Sequence, residues 1–86
     1  MIKLTIKRVS GEVDELVVTP AIEFAFEQYA KKGFRKAFME DEKQSDIYWL
    51  AHECLRRAGH TVKPFGQEFL ETLESVDVSA ADNPNG

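Results

Sequence analysis

Side chains able to do chemistry are few. Cys54, His52 and His60 are the chain's complete set of thiols and imidazoles. His52-Glu53 opens like the HExxH motif, in which two His one helical turn apart hold zinc beside a Glu base, but Arg56 stands where the second His belongs. One thiol and two imidazoles do not compose a structural or catalytic zinc site. Cys54 falls on the apolar stripe of a helix and is expected to be a core thiol, as free Cys commonly is. His52 is expected on a helix surface and His60 in a loop. Ser10-Gly11 and Phe65-Gly66 are ordinary turns, so no Gly-rich loop follows a strand to cradle phosphate. Catalysis, a cofactor and a bound metal are therefore not expected.

Lys31, Lys32, Arg35 and Lys36 set four positive charges around Phe34. Such a cluster could touch nucleic acid or an acidic partner. The favoured reading is a basic helix end that complements the macrodipole, offset by the nearby Glu40-Asp41-Glu42. Net charge is −4, against the basic footprint of a nucleic-acid binder. Its distribution is uneven. Residues 1–66 hold 11 basic and 10 acidic side chains, whereas residues 67–86 hold five acidic and no basic ones. The body is near neutral and the acidity belongs to the C-terminal segment.

With 86 residues, one domain is expected. A content of 43% hydrophobic and 30% charged residues places the chain among globular rather than disordered sequences. A single Cys excludes an intramolecular disulfide framework and suggests a reduced, intracellular product. No apolar run suits a leader or a membrane span.

The elements follow from periodicity. Ile2, Leu4 and Ile6 alternate with Lys3, Thr5 and Lys7, Ser10-Gly11 turns the chain, and residues 13–18 return, which makes a β-hairpin. Opposite charges flank the turn and would meet across the strands. Thr19-Pro20 caps a helix whose inner stripe is Ile22, Phe26 and Tyr29, closed by Gly33 in the left-handed position with Phe34 folding back. One or two helical turns over residues 34–39 lead to a long helix ending near Ala58-Gly59. Its inward stripe is Ile47, Leu50, Ala51, Cys54 and Ala58. After the Lys63-Pro64-Phe65-Gly66 turn, a last helix over residues 67–76 presents Phe69, Leu73 and Val76 (or Leu70). The expected fold class is α+β: an N-terminal two-stranded antiparallel hairpin packed on three to four helices. One compact domain would span 1–76, with a flexible, disordered acidic tail over 77–86.

Nine aromatics are generous for so small a core. Trp49 lies about 200° around its helix from Ile47, and Tyr48 lies on a third flank. Phe24 lies off the Ile22/Phe26/Tyr29 stripe, and Phe38 follows the basic cluster. Aromatics off the core stripes are frequent interface anchors.

The stretch Asp46-Ile47-Tyr48-Trp49-Leu50-Ala51-His52-Glu53-Cys54-Leu55-Arg56-Arg57 resembles a segment of the tail assembly chaperones of long-tailed siphophages, especially those of actinobacterial hosts. So do residues Thr19 to Glu27, the Lys36-Ala37-Phe38 segment, Pro64 to Leu73 and the Asn83-Pro84-Asn85-Gly86 end, and together they cover nearly the whole chain. The resemblance implies a non-enzymatic protein that binds the tape measure protein and keeps it soluble while the tail tube assembles. It also implies self-association, a longer form made by ribosomal frameshifting, residence in the host cytoplasm and absence from the mature virion. Phe24, Phe38, Tyr48 and Trp49 are then the expected partner-binding residues. Two alternative expectations stand beside it: a phage structural, head–tail connector or accessory protein, and a small acidic regulatory protein.

Overall fold

The structure is a computed structural model and describes residues 2–80. Strand β1 (Ile2–Arg8) and strand β2 (Val13–Val17) form the expected hairpin. The turn closes through the Arg8 amide donating to Glu12 O and the Gly11 amide donating to Arg8 O, both at 2.9 Å. Gly11 takes φ +97°, which explains a Gly there. The alternation in β1 maps onto the two faces of the sheet: Leu4 and Ile6 are fully buried, while Lys7 is exposed. The charges meet on the diagonals of the ladder, with Lys3 Nζ 3.7 Å from Glu15 and Arg8 Nη2 2.9 Å from Asp14.

Helix α1 (Pro20–Ala30) begins as the sequence predicts, with Thr19 Oγ1 accepting from the Ile22 amide at 3.3 Å. Its end differs. Lys31, not Gly33, adopts the left-handed conformation, at φ 60°. Gly33 is extended and enters the next element, where the Phe34 amide donates to Glu27 Oε2 at 2.8 Å. That bond pins the junction, and the helix ends two residues earlier than the glycine implies. Phe34 does fold back, meeting Phe26 edge-on at 5.7 Å. Helix α2 (Phe34–Lys36) runs into a π turn (Ala37–Asp41), closed by the Glu42 amide donating to Ala37 O at 2.8 Å.

Helix α3 (Gln44–Arg57) is the central helix. Leu50, Ala51, Cys54 and Leu55 are buried. Leu55 is thus core, Ile47 is half-buried, and Ala58 is exposed because the helix has already ended. The stop is a Schellman pair: His60 N–H to Leu55 O at 3.0 Å and Gly59 N–H to Arg56 O at 3.1 Å, with Gly59 at φ +94°.

The last helix is much shorter than its sequence pattern predicts. Helix α4 is Gln67–Leu70, and strand β3 occupies Leu73–Ala80. Both the Thr72 amide and its hydroxyl donate to Phe69 O, at 2.9 and 2.6 Å, which ends the helix after one turn. Ser75, Val76, Asp77 and Val78 are weak helix formers, and the two Val favour a pleated surface. β3 pairs antiparallel with β1, giving a three-stranded sheet in the order β2-β1-β3. Residues 77–80 are therefore strand rather than tail, and the expected boundary after residue 76 falls inside β3. Residues 81–86 of the expected tail lie outside the described residues.

The fold is α+β, with the N-terminal hairpin and β3 in one sheet and the helices on its inner face. Leu4, Ile6, Val18, Ile22, Phe26, Leu50, Leu55 and Phe69 fill the space between the two layers.

Candidate partner-binding surface

Phe26 is the hub of the helical layer. Its ring centroid lies 5.1 Å from Phe38, 5.7 Å from Phe34 and 5.9 Å from Trp49. Tyr29, one turn along α1 from Phe26, stacks on Trp49 at 4.5 Å with planes 14° apart. Two of the four expected contact residues, Phe38 and Trp49, are thereby brought onto one cluster. Both are half-buried and packed against the core. Phe24 stands apart on the other side of α1, 64% exposed. Tyr48 is half-buried and joins no ring pair among the described residues. The four do not form one continuous patch.

Tyr29 and Met39 were not singled out from the sequence. Tyr29 is 48% exposed and Met39 is 74% exposed. Tyr29 sits on the periodic stripe of α1 and so looked like core, but the helix ends one residue later and leaves the ring at the rim. Met39 is carried outward by the π turn, whose wider winding shifts residues off a 3.6-residue count.

The titratable groups nearby are held in structural pairs. Lys32 Nζ lies 3.1 Å from both Asp41 and Asp46. Hydrogen bonding to Asp46, then Asp41, raises the Lys32 ammonium above its usual range. The basic cluster is thus partly neutralised by the turn and by the start of α3. Glu53 is buried on α3, which alone would push its carboxyl up. Hydrogen bonds from Arg56 (2.7 Å) and Arg57 (3.1 Å) outweigh this and hold it below the usual carboxylate range.

Cys54 is buried, and burial lifts its thiol to about 11, so it carries no thiolate at neutral pH. His52 is less exposed than a surface position implies. Its Nε2–H donates to Lys63 O at 2.8 Å, and its ring meets Phe69 edge-on at 4.7 Å. His60 bridges Arg8 and Asp14: Arg8 Nη2 lies 3.2 Å from Nδ1 and Asp14 Oδ1 lies 3.4 Å from Nε2. Because a guanidinium only donates, Nδ1 accepts and Nε2 carries the proton. Both imidazoles thus fasten the connector that follows α3 to the body of the fold.

A cavity of about 480 Å³ lies between the hairpin turn, α3 and that connector, walled by Val9, Leu55, Val62, Pro64 and Phe69, with Arg8 at its margin. Its lining is suited to an apolar side chain. Among the described residues, no group of three or more His, Cys, Asp or Glu is placed to hold a metal ion. No helix among them is long and apolar enough to cross a membrane.

No protein-family model matches the chain, and no curated protein or solved structure matches it.

Proposed function

We propose that the chain is a tail assembly chaperone of a long-tailed phage, which binds the tape measure protein and keeps it soluble until the tail tube encloses it. The proposal starts from the sequence resemblance over residues 19–27, 36–38, 46–57 and 64–73. The observation that carries it is the exposure of Phe24, Tyr29 and Met39 on the helical layer. An unassembled tape measure helix has long apolar stripes that invite aggregation, and a holder needs apolar surface to cover them. Phe24 supplies an isolated anchor. Tyr29, with Trp49 and Phe38 behind it, supplies a second that is already ordered by stacking, so little side-chain entropy is lost on binding. Tyr48 flanks the same helix as Trp49. The acidic C-terminal segment keeps the loaded complex soluble.

On this reading the protein works in the host cytoplasm, associates with copies of itself and with a frameshifted longer form, and leaves before the virion matures. It performs no catalysis and takes no cofactor. The test is co-expression with the tape measure protein of the same phage. The tape measure protein should move from the pellet to the soluble fraction and co-purify with the chain, and purified virions should lack the chain. Stoichiometric presence in virions would instead make it a structural component.

A further inference from the structure

Strand β3 is an edge of the sheet, and among the described residues no strand pairs with its outer rim. The direction of its main-chain groups follows from β1. Ile2 O accepts from the Val18 amide and the Arg8 amide donates to Glu12 O, so the even-numbered residues of β1 turn their peptide groups towards β2. Lys3, Thr5 and Lys7 turn theirs towards β3, where their partners are Ser79, Asp77 and Ser75. Val76 and Val78 therefore point their N–H and C=O groups outward. Beside this rim, on the helical side, a cavity of about 560 Å³ opens, walled by Ile2, Phe38, Met39, Ile47 and Val78, with Glu42 and Gln44 also lining it. Val78 is 39% exposed. The strand has eight residues with no Lys, Arg or Pro, and its pairing irregularity lies at the far end, between Lys7 and Arg8. Its charges are Glu74 and Asp77, so the stretch around Val78 has no Lys, Pro or bulge to guard the edge.

We propose that β3 pairs antiparallel with β3 of a second copy about a twofold axis at Val78, joining two sheets in the order β2-β1-β3-β3-β1-β2. In this register Val78 faces Val78 as a hydrogen-bonded pair, Val76 faces Ala80 and Asp77 faces Ser79. Charge selects it. A slip of one residue sets Asp77 against Asp77 at positions that exchange no hydrogen bonds. A slip of two, centred on Val76, sets Glu74 against Val78, a charge against an apolar side chain. In the Val78-centred register Lys3, which neighbours Ser79, shares a row on the outer face with Asp77 of the other copy. β2 offers a poorer rim: it has five residues, and Asp14 and Glu15 within it would be brought against the same acidic stretch of the other copy.

Sedimentation of the full chain tests the pairing, and it does not depend on any client. The wild-type chain should be a dimer, and Val78→Lys should lose the dimer while keeping its far-UV spectrum, because the Val78 side chain is partly exposed and its peptide group points away from β1. Should Val78→Lys fail to fold, a second pair of variants decides. Val78→Cys should form a disulfide-linked dimer under mild oxidation, and Val17→Cys on β2 should not. A monomeric wild-type chain up to submillimolar concentration, a folded Val78→Lys that remains dimeric, or cross-linking through Val17→Cys in place of Val78→Cys would overturn the proposal.

Discussion

Tyr29 of α1 lies flat on Trp49 of α3, with ring centroids 4.5 Å apart and planes 14° from parallel. The pair joins the two longest helices at the rim of the core, so Trp49 is a structural residue and a wall of the exposed aromatic cluster at once. Trp49→Ala is expected to cost about 2–4 kcal/mol, less than a fully buried ring because the indole is half-buried. Trp49→Phe should recover much of that. Urea denaturation of the three proteins checks the order.

Phe24 should behave in the opposite way. Its ring is 64% exposed and belongs to no core cluster. Phe24→Ser is expected to change stability by no more than about 0.5 kcal/mol, as for other surface changes. The same variant should reduce recovery of soluble tape measure protein on co-expression. Measuring both properties on one variant separates a binding defect from a folding defect.

Glu53 sets an acid limit on the fold. Its carboxyl is held below the ordinary value of 4.5 in the folded chain by Arg56 and Arg57. A lowered folded value means that its contribution is present above the unfolded value and is lost as pH falls through the folded one. Glu53→Gln should therefore be less stable than the wild type by about 1–3 kcal/mol at neutral pH, with the gap closing below about pH 4.5. Thermal melts of both proteins across that range check the sign.

Arg8 and Asp14 form a largely buried pair, with side chains 15% and 18% exposed and His60 as a third member. Asp14→Ala leaves the guanidinium with the imidazole and the longer, exposed Glu12 contact at 3.6 Å, and should cost about 1–3 kcal/mol. Removing both charges with Arg8→Met and Asp14→Ala should cost less than the two single losses added together. A double-mutant cycle by denaturation checks this coupling.

The sequence revealed the hairpin, both caps of α1's start and α3's end, and most of the core, because these rest on local signals. Alternation marks β1, Thr19-Pro20 marks a helix start, and Gly59 marks a stop. The sequence failed where two periods coincide. Phe69, Leu73 and Val76 lie at helical spacing, yet Val76-Asp77-Val78-Ser79 also alternates, and pairing with β1 decides for strand. From Asp77 onward helical periodicity is lost, which makes residues 77–80 look like tail. The exposure of Phe24 was legible because it breaks its helix's stripe. Phe38 stands four residues from buried Phe34 and meets it at 4.7 Å, as local spacing allows, whereas Trp49 lies off the apolar stripe of its helix and reaches the core through Phe26, a contact that no local spacing encodes. Met39 was hidden by the π turn, which no helical count anticipates.

The central claim is that the exposed aromatic side chains of the helical layer hold the tape measure protein. A photoreactive benzophenone side chain at position 24, in chain co-expressed with that protein, tests it most directly. The account predicts an ultraviolet-dependent cross-link from position 24 to the tape measure protein, and none from a probe at Glu15 on the outer face of β2. A probe at position 24 that gives no cross-link while the tape measure protein still co-purifies, or cross-links from Glu15 instead, would contradict it.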